Sequence, residues 1–144
     1  MVESLEDVDL PFVILRHELP SEARQPSHWD LMFALRRGDR DDRCLETWAT
    51  VADPLQQLFV PNGKLDVLKK LPDHRAHYLS YEGAVSNQRG TVQRVVSGRI
   101  TQRLRADDQR IFCLAFRNQQ GELALCRQSA NVEKWQATWQ PNRK

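Results

Sequence analysis

No apolar run in this chain of 144 residues approaches the roughly 18 residues that a membrane-spanning helix needs. The segment Met1-Val2-Glu3-Ser4-Leu5-Glu6-Asp7 is acidic where a secretory signal is basic, so a cytoplasmic location is expected. Cysteine is scarce. Cys44, Cys113 and Cys126 are an odd number without a C-x-x-C pair, which argues against a disulfide framework or a zinc knuckle and leaves buried thiols on strands. A dominant charge of one sign is also missing. The formal net charge of +2 permits a polyanionic partner without demanding one.

No repeat, low-complexity tract or linker divides the chain, and 28% charged against 40% hydrophobic residues is the balance of a folded domain. At this length a core forms without disulfide or metal staples, so any metal is functional before it is structural. The expected organisation is a flexible segment 1–10, one domain over 11–140 and a tail 141–144.

Phe12-Val13-Ile14-Leu15, bounded by Pro11 and Pro20, predicts a short buried strand ending at His17. From Trp29 the pattern alternates. Trp29, Leu31, Phe33 and Leu35 share a core face, while His28, Asp30, Met32 and Ala34 share the other. The polar turn Arg37-Gly38-Asp39-Arg40 leads into a returning strand, Cys44 to Val51, and its Arg-Gly-Asp tripeptide is read as turn chemistry rather than an adhesion motif.

Asp53-Pro54 opens a helical turn through Leu58, and Pro61-Asn62-Gly63 is a further turn. Leu65 to Leu71 suits a strand or a short helix, closed either way by Pro72, and Ala76 to Tyr81 reads as a helical turn closed by Gly83. Thr91–Val96 and Arg99–Leu104 are expected to form a hairpin around Ser97-Gly98. Ile111–Phe116, Glu122–Cys126 and Trp135–Trp139 complete the strands. About eight short strands at this spacing predict an all-β fold, a small closed or nearly closed antiparallel β-barrel with one or two short helical turns.

The chemistry concentrates around His28-x-Asp30. Strand rise puts their Cα atoms about 6.7 Å apart on one face, and neutral imidazoles with a carboxylate are a usual ligand set for a divalent transition metal. His17 and His74 are the further members of the group, whereas His77 is expected to face solvent. Taken singly, each histidine suits an ordinary surface or core position. As a pattern, His28-x-Asp30 followed by His74 also fits the facial triad of a non-haem iron oxygenase. Basic residues group as Arg36, Arg37, Arg40 and Arg43, and as Arg94, Arg99, Arg103 and Arg105, which suits a solvated face or nucleic-acid contact.

One ordered set of blocks narrows these alternatives. Phe12-Val13-Ile14, His17, His28-Trp29-Asp30-Leu31, Thr47-Trp48-Ala49, Asp73-His74 with Tyr78, Glu82-Gly83 and Gly90-Thr91-Val92 follow one another along the chain. In that order the sequence resembles the 3′-phosphoesterase domain of bacterial DNA ligase D, over residues 12 to 98. The resemblance implies a small β-barrel in which His17, Asp30 and His74 hold a manganese-type ion, with zinc or cobalt as alternatives. It further implies that His28 contacts phosphate and moves a proton while Tyr78 positions the site. The implied reaction is hydrolysis at the 3′ end of DNA or an RNA-tailed primer in repair, beside separate ligase, polymerase or end-binding proteins and without a membrane partner.

The chain departs from the pattern at Met32, where the family has an arginine, at Ala52, where it has a lysine, and at Pro72, where it has an acidic residue. The segment between Gly83 and Gly90 is also shorter than its family counterpart. These departures suggest the alternative of a catalytically reduced module that binds a metal or nucleic-acid ends. Arg16, Arg75, Arg99 and Arg103 are the expected substitutes for the missing cations. Lys64-Leu65-Asp66-Val67 lacks the glycine of a nucleotidyl-lysine motif, so no ligase or polymerase activity is expected of the chain.

Overall fold

Alternating apolar residues make a half-buried strand in isolation, and a run of such strands buries its apolar faces most completely by closing on itself. A computed structural model describes residues 4–128 and 133–142. Among them are strands β1 (Glu6–Glu18), β2 (His28–Ala34), β3 (Arg43–Thr50), β4 (Lys64–Arg75), β5 (Gly83–Ala84), β6 (Thr91–Ala106), β7 (Gln109–Phe116), β8 (Gln119–Arg127) and β9 (Lys134–Pro141). A short helix α1 (Pro54–Gln57) and a 3-10 turn (Ala76–Leu79) interrupt them. The hydrogen-bonded order is β1-β2-β3-β4-β9-β8-β7-β6, and β1 pairs back onto β6. The result is the expected closed antiparallel barrel of eight strands, with β5 attached outside β6.

Ring packing identifies the interior. Phe33 stacks on Phe12 and Phe112, with centroids 5.7 and 4.4 Å away, and meets Trp48 edge-on at 5.9 Å. Trp48 in turn meets Trp135 at 5.4 Å. By the period of two, Val13, Leu15, His17, His28, Asp30 and Met32 lie on the outer face. Much of that face is nevertheless buried, including Val13, Leu15, Met32 and Thr47. Tyr78, Leu79 and Val85 from the excursion between β4 and β6 pack against it. The excursion is pinned by main-chain bonds from Ala76 N–H to the Asp42 carbonyl and from His77 N–H to the Arg40 carbonyl, both 2.8 Å.

Several expectations need correction. Ser97-Gly98 is not a hairpin loop, because β6 runs through it. Gly98 lies opposite both Phe12 and Phe116, and a Cβ there would come within 2.5 Å of the Phe12 ring, so the glycine admits an aromatic ring. Leu65–Leu71 is strand, and Pro72 does not end it. Pro72 stands beyond the part of β4 bonded to β9 and within a register shift against β3, where no ladder N–H is required.

β1 begins at Glu6, inside the segment 1–10 expected to be flexible, because Glu6 and Asp7 pair with Arg103 and Gln102. At the other end Pro141, assigned to the tail, closes β9. Residues 1–3, 143 and 144 of those segments lie outside the described residues. The helical turn at Pro54 forms as expected, with the Asp53 carboxylate accepting from the Leu55 N–H at 2.9 Å. Cys44 is buried and Cys113 and Cys126 are half-buried, all on strands.

An ion pair lies in the interior. Glu46, on the Trp48 face of β3 and 3% exposed, accepts from Arg110 Nε at 3.0 Å and Nη2 at 2.9 Å, with Arg105 Nη2 at 3.4 Å. Burial raises the carboxyl's proton affinity, but the two guanidiniums outweigh it and hold Glu46 below the ordinary range. Its stabilisation is therefore present above that range and is lost as pH falls through the lowered value. Glu46→Ala leaves Arg110 buried without its partner and is expected to cost about 3–5 kcal/mol in urea unfolding at neutral pH. The double variant Glu46→Leu/Arg110→Met is expected to lose less, and an unchanged midpoint for Glu46→Ala would show that the pair contributes nothing.

Candidate functional site

Antiparallel register builds the site from two neighbouring strands. His17 on β1 lies directly opposite His28 on β2, and Leu15 lies opposite Asp30. His17, His28 and Asp30 therefore share one small patch of the outer face. The two imidazoles meet at 4.9 Å between centroids. Asp30 is 3% exposed, with Oδ2 3.8 Å from His17 Nδ1 and Oδ1 3.2 Å from His28 Nε2. One ligand atom from each of the three residues falls within 4.8 Å of the other two.

The histidines share a second feature. His17 Nε2 contacts the Arg89 carbonyl at 2.6 Å, His28 Nδ1 the Pro26 carbonyl at 3.1 Å, and His74 Nδ1 the Pro72 carbonyl at 2.8 Å. A main-chain carbonyl that takes one ring N–H fixes both tautomer and orientation and leaves the other nitrogen as an electron-pair donor. The nitrogens left over are His17 Nδ1, His28 Nε2 and His74 Nε2.

Asp30 Oδ1 completes the donor set in an unusual way. It is buried without a well-formed hydrogen bond, and its ion-pair contact is His28 Nε2 at 3.2 Å. A buried acceptor left unpaired costs about 1–3 kcal/mol, so this oxygen has an unused capacity to bind a cation. Burial raises the proton affinity of Asp30, but His17 and His28, with His74 at longer range, outweigh it and hold the carboxyl below its ordinary value. An ionised carboxylate with two or three oriented imidazoles is a donor set that suits a divalent transition metal.

A cavity of about 310 Å³ opens between this face and the excursion that covers it, with His17, Asp30, His74, Tyr78, Arg43 and Arg75 in its walls. His17, Asp30 and His74, the set implied by the resemblance, thus line one cavity. The tightest donor group among the described residues contains His28 in place of His74. A neighbouring cavity of about 420 Å³ brings His28 to the same three residues, together with Arg24 and Arg89. Tyr78 lies 6.0 Å from His74 between ring centroids. His77, expected in solvent, is half-buried and stacks on Tyr81 at 4.5 Å, outside both cavities.

Met32 is buried and lines the first cavity, so an apolar thioether occupies the position where the resembled family carries a cation. Of the arginines expected as substitutes, only Arg75 reaches these cavities. Arg16 lies over the Trp29 ring at 4.0 Å and pairs with Glu18 at 2.7 Å. Arg99 and Arg103 pair with Asp9 and Glu6, at 3.0 and 3.3 Å. Arg43, Arg89 and Arg24 line the cavities; Arg43 belongs to a basic group of the sequence, whereas nothing local marks Arg89 or Arg24. Arg43 stands at the start of a strand whose partner ends just after His74, and that adjacency is the available signal.

Contact with Asp30 raises the pKa of His28 above its ordinary 6.5, against the opposing effect of burial. The charged pair therefore stabilises the fold below pH 6.5, and that contribution fades as pH rises through the raised value. Titration of the His28 ring protons by NMR in metal-free protein is expected to give a midpoint above 6.5, and Asp30→Asn is expected to lower it. A midpoint that ignores Asp30→Asn would rule the pair out. Compared with protein-family models and with curated proteins, the sequence matches none.

Proposed function

We propose that this barrel is a metal-dependent phosphoesterase that acts on the 3′ ends of DNA or RNA-tailed primers. The observation that carries the reading is the convergence of Asp30 Oδ1, buried and without a hydrogen bond, with histidine nitrogens whose opposite ring atoms are held by main-chain carbonyls. Its order of motifs along the chain supports the same reading through the resemblance to the ligase D phosphoesterase domain. His17 and Asp30 would hold the ion, with His74 or His28 as the further ligand and manganese as the first choice, zinc or cobalt as the others. Such an ion polarises a phosphoryl oxygen and stabilises the charge that develops on it.

The remaining work falls to the chain's own side chains. With His74 as the further ligand, His28 can hold or release a proton at Nε2 while the Pro26 carbonyl keeps its ring in place. Tyr78 and the arginines of the cavity wall orient a phosphate, and the turn at Ala76–Leu79 shields the site from bulk water. Hydrolysis of a 3′-phosphomonoester adds water across the phosphorus–oxygen bond and gives a 3′-hydroxyl end and inorganic phosphate, whereas hydrolysis of a terminal ribonucleotide diester releases the nucleoside and leaves a 3′-phosphate for a second hydrolysis. Buried Met32 favours a second reading, a module that keeps the metal and binds ends without cleaving them.

Phosphate release from a 3′-phosphorylated oligonucleotide in the presence of manganese tests the proposal. Asp30→Asn is expected to lower the rate by roughly 10²–10³, the scale of losing a group that stabilises transition-state charge, and to reduce bound metal. Absence of both release and bound metal with manganese, zinc and cobalt overturns it. Metal and end binding without release selects the second reading.

A further inference from the structure

Arg43, the first residue of β3, and Arg75, the last of β4, are direct cross-strand partners. Their side chains therefore leave the sheet on the same face, and both line the 310 Å³ cavity with His17, Asp30 and His74. Like charges directly opposite each other destabilise a strand pair, so their survival at one register position calls for compensation.

The compensation within the protein is incomplete. Arg75 Nη1 lies 3.3 Å from Asp41 Oδ1, and Asp41 is shared with Arg40 at 3.7 Å. The Arg43 guanidinium makes no hydrogen bond or ion pair among the described residues. The main chain around the pair is nonetheless held in place, since the Asp42 and Arg40 carbonyls take the N–H groups of Ala76 and His77. Arg75 also lies 5.9 Å over the Tyr78 ring, which aims it along the cavity wall. The arrangement is a cationic pair with a fixed backbone, one member unpartnered, beside a carboxylate held by His17 and His28, while Arg89 in the same wall is bonded to Ser86.

We propose that Arg43 and Arg75 form an anion clamp that binds the terminal phosphate of a 3′-phosphomonoester end, supplying the cationic half of the site that Met32 does not. The inference rests on the phosphoesterase reading and deepens it by naming the preferred substrate. Two guanidiniums match the two charges of a phosphomonoester, and each can present paired N–H donors to phosphate oxygens. A diester carries one charge and leaves the pair half compensated. The clamp therefore favours 3′-phosphate ends over 3′-ribonucleotide diesters.

Inorganic phosphate titrated calorimetrically into manganese-loaded protein tests the clamp, alongside phosphate release from a 3′-phosphorylated oligonucleotide. Arg43→Gln and Arg75→Gln are each expected to weaken phosphate binding about tenfold or more, as loss of a charged hydrogen bond does. Arg43→Lys keeps part of the affinity, and Arg117→Gln, remote from the cavity, leaves it unchanged. Manganese affinity stays constant throughout, which separates the clamp from the donor group. Arg43 is exposed, so its replacement leaves the core intact.

Wild-type affinity for phosphate in both glutamine variants, or no phosphate binding by the unmodified protein, overturns the clamp. Phosphate release with unchanged KM in Arg43→Gln also overturns it while the phosphoesterase reading stands. Arginine-dependent phosphate binding without release from any 3′ end supports the clamp and sinks the phosphoesterase reading.

Discussion

β1 is hydrogen-bonded along both of its edges, to β2 on one side and to β6 on the other, and the organisation of the molecule depends on that double pairing. It closes the sheet into a barrel and leaves the main barrel strands without a free edge. It also fixes which way every side chain of β1 and β2 points, because a slip by one residue would exchange the two faces. Phe12 and Phe33 then meet inside, and His17, His28 and Asp30 meet outside. The bulge in β6 between the partners of Ile14 and Leu15 lets that strand bend around the ring without disturbing the alternation of β1.

A site on the outer wall of a small barrel needs its own cover. Here the chain between β4 and β6 supplies it, folding a 3-10 turn and a two-residue strand over the histidines and Asp30. The cover lowers the local dielectric around Asp30 and strengthens its interactions with the imidazoles, at the cost of an unpaired carboxylate oxygen. The same excursion, which leaves the sheet at Arg75, delivers Tyr78 and Arg89 to the cavity, so the cover and part of the cavity wall come from one stretch of chain. The interior pair of Glu46 and Arg110 shows the contrasting solution, a buried charge that the protein satisfies by itself.

The alternation from Trp29 to Leu35 is legible in the sequence, since a period of two needs only local order. His28 and Asp30 on one face follow from it, as does the short helix after Asp53, whose cap is made within three residues. Less is legible where a residue serves a distant partner. Gly98 has the chemistry of a turn and is used to admit Phe12, and Pro72 has the chemistry of a strand end and sits within β4. Both readings fail because close approach of a remote ring and loss of pairing to β9 are tertiary facts.

The all-β class, the approximate number of strands and the presence of side chains able to ligate a metal follow from the sequence alone, because periodicity and side-chain type are local properties. It took the folded chain to set His17 opposite His28, to give one nitrogen of each of three histidines to a carbonyl, and to bring Arg43 to face Arg75. Arg16, Arg99 and Arg103 carry the same charge as Arg43, yet nearby acids or aromatic rings hold them elsewhere. Charge is written into a residue, whereas its neighbours are set by register between strands far apart in the chain, and the geometry of the site is a property of those neighbours.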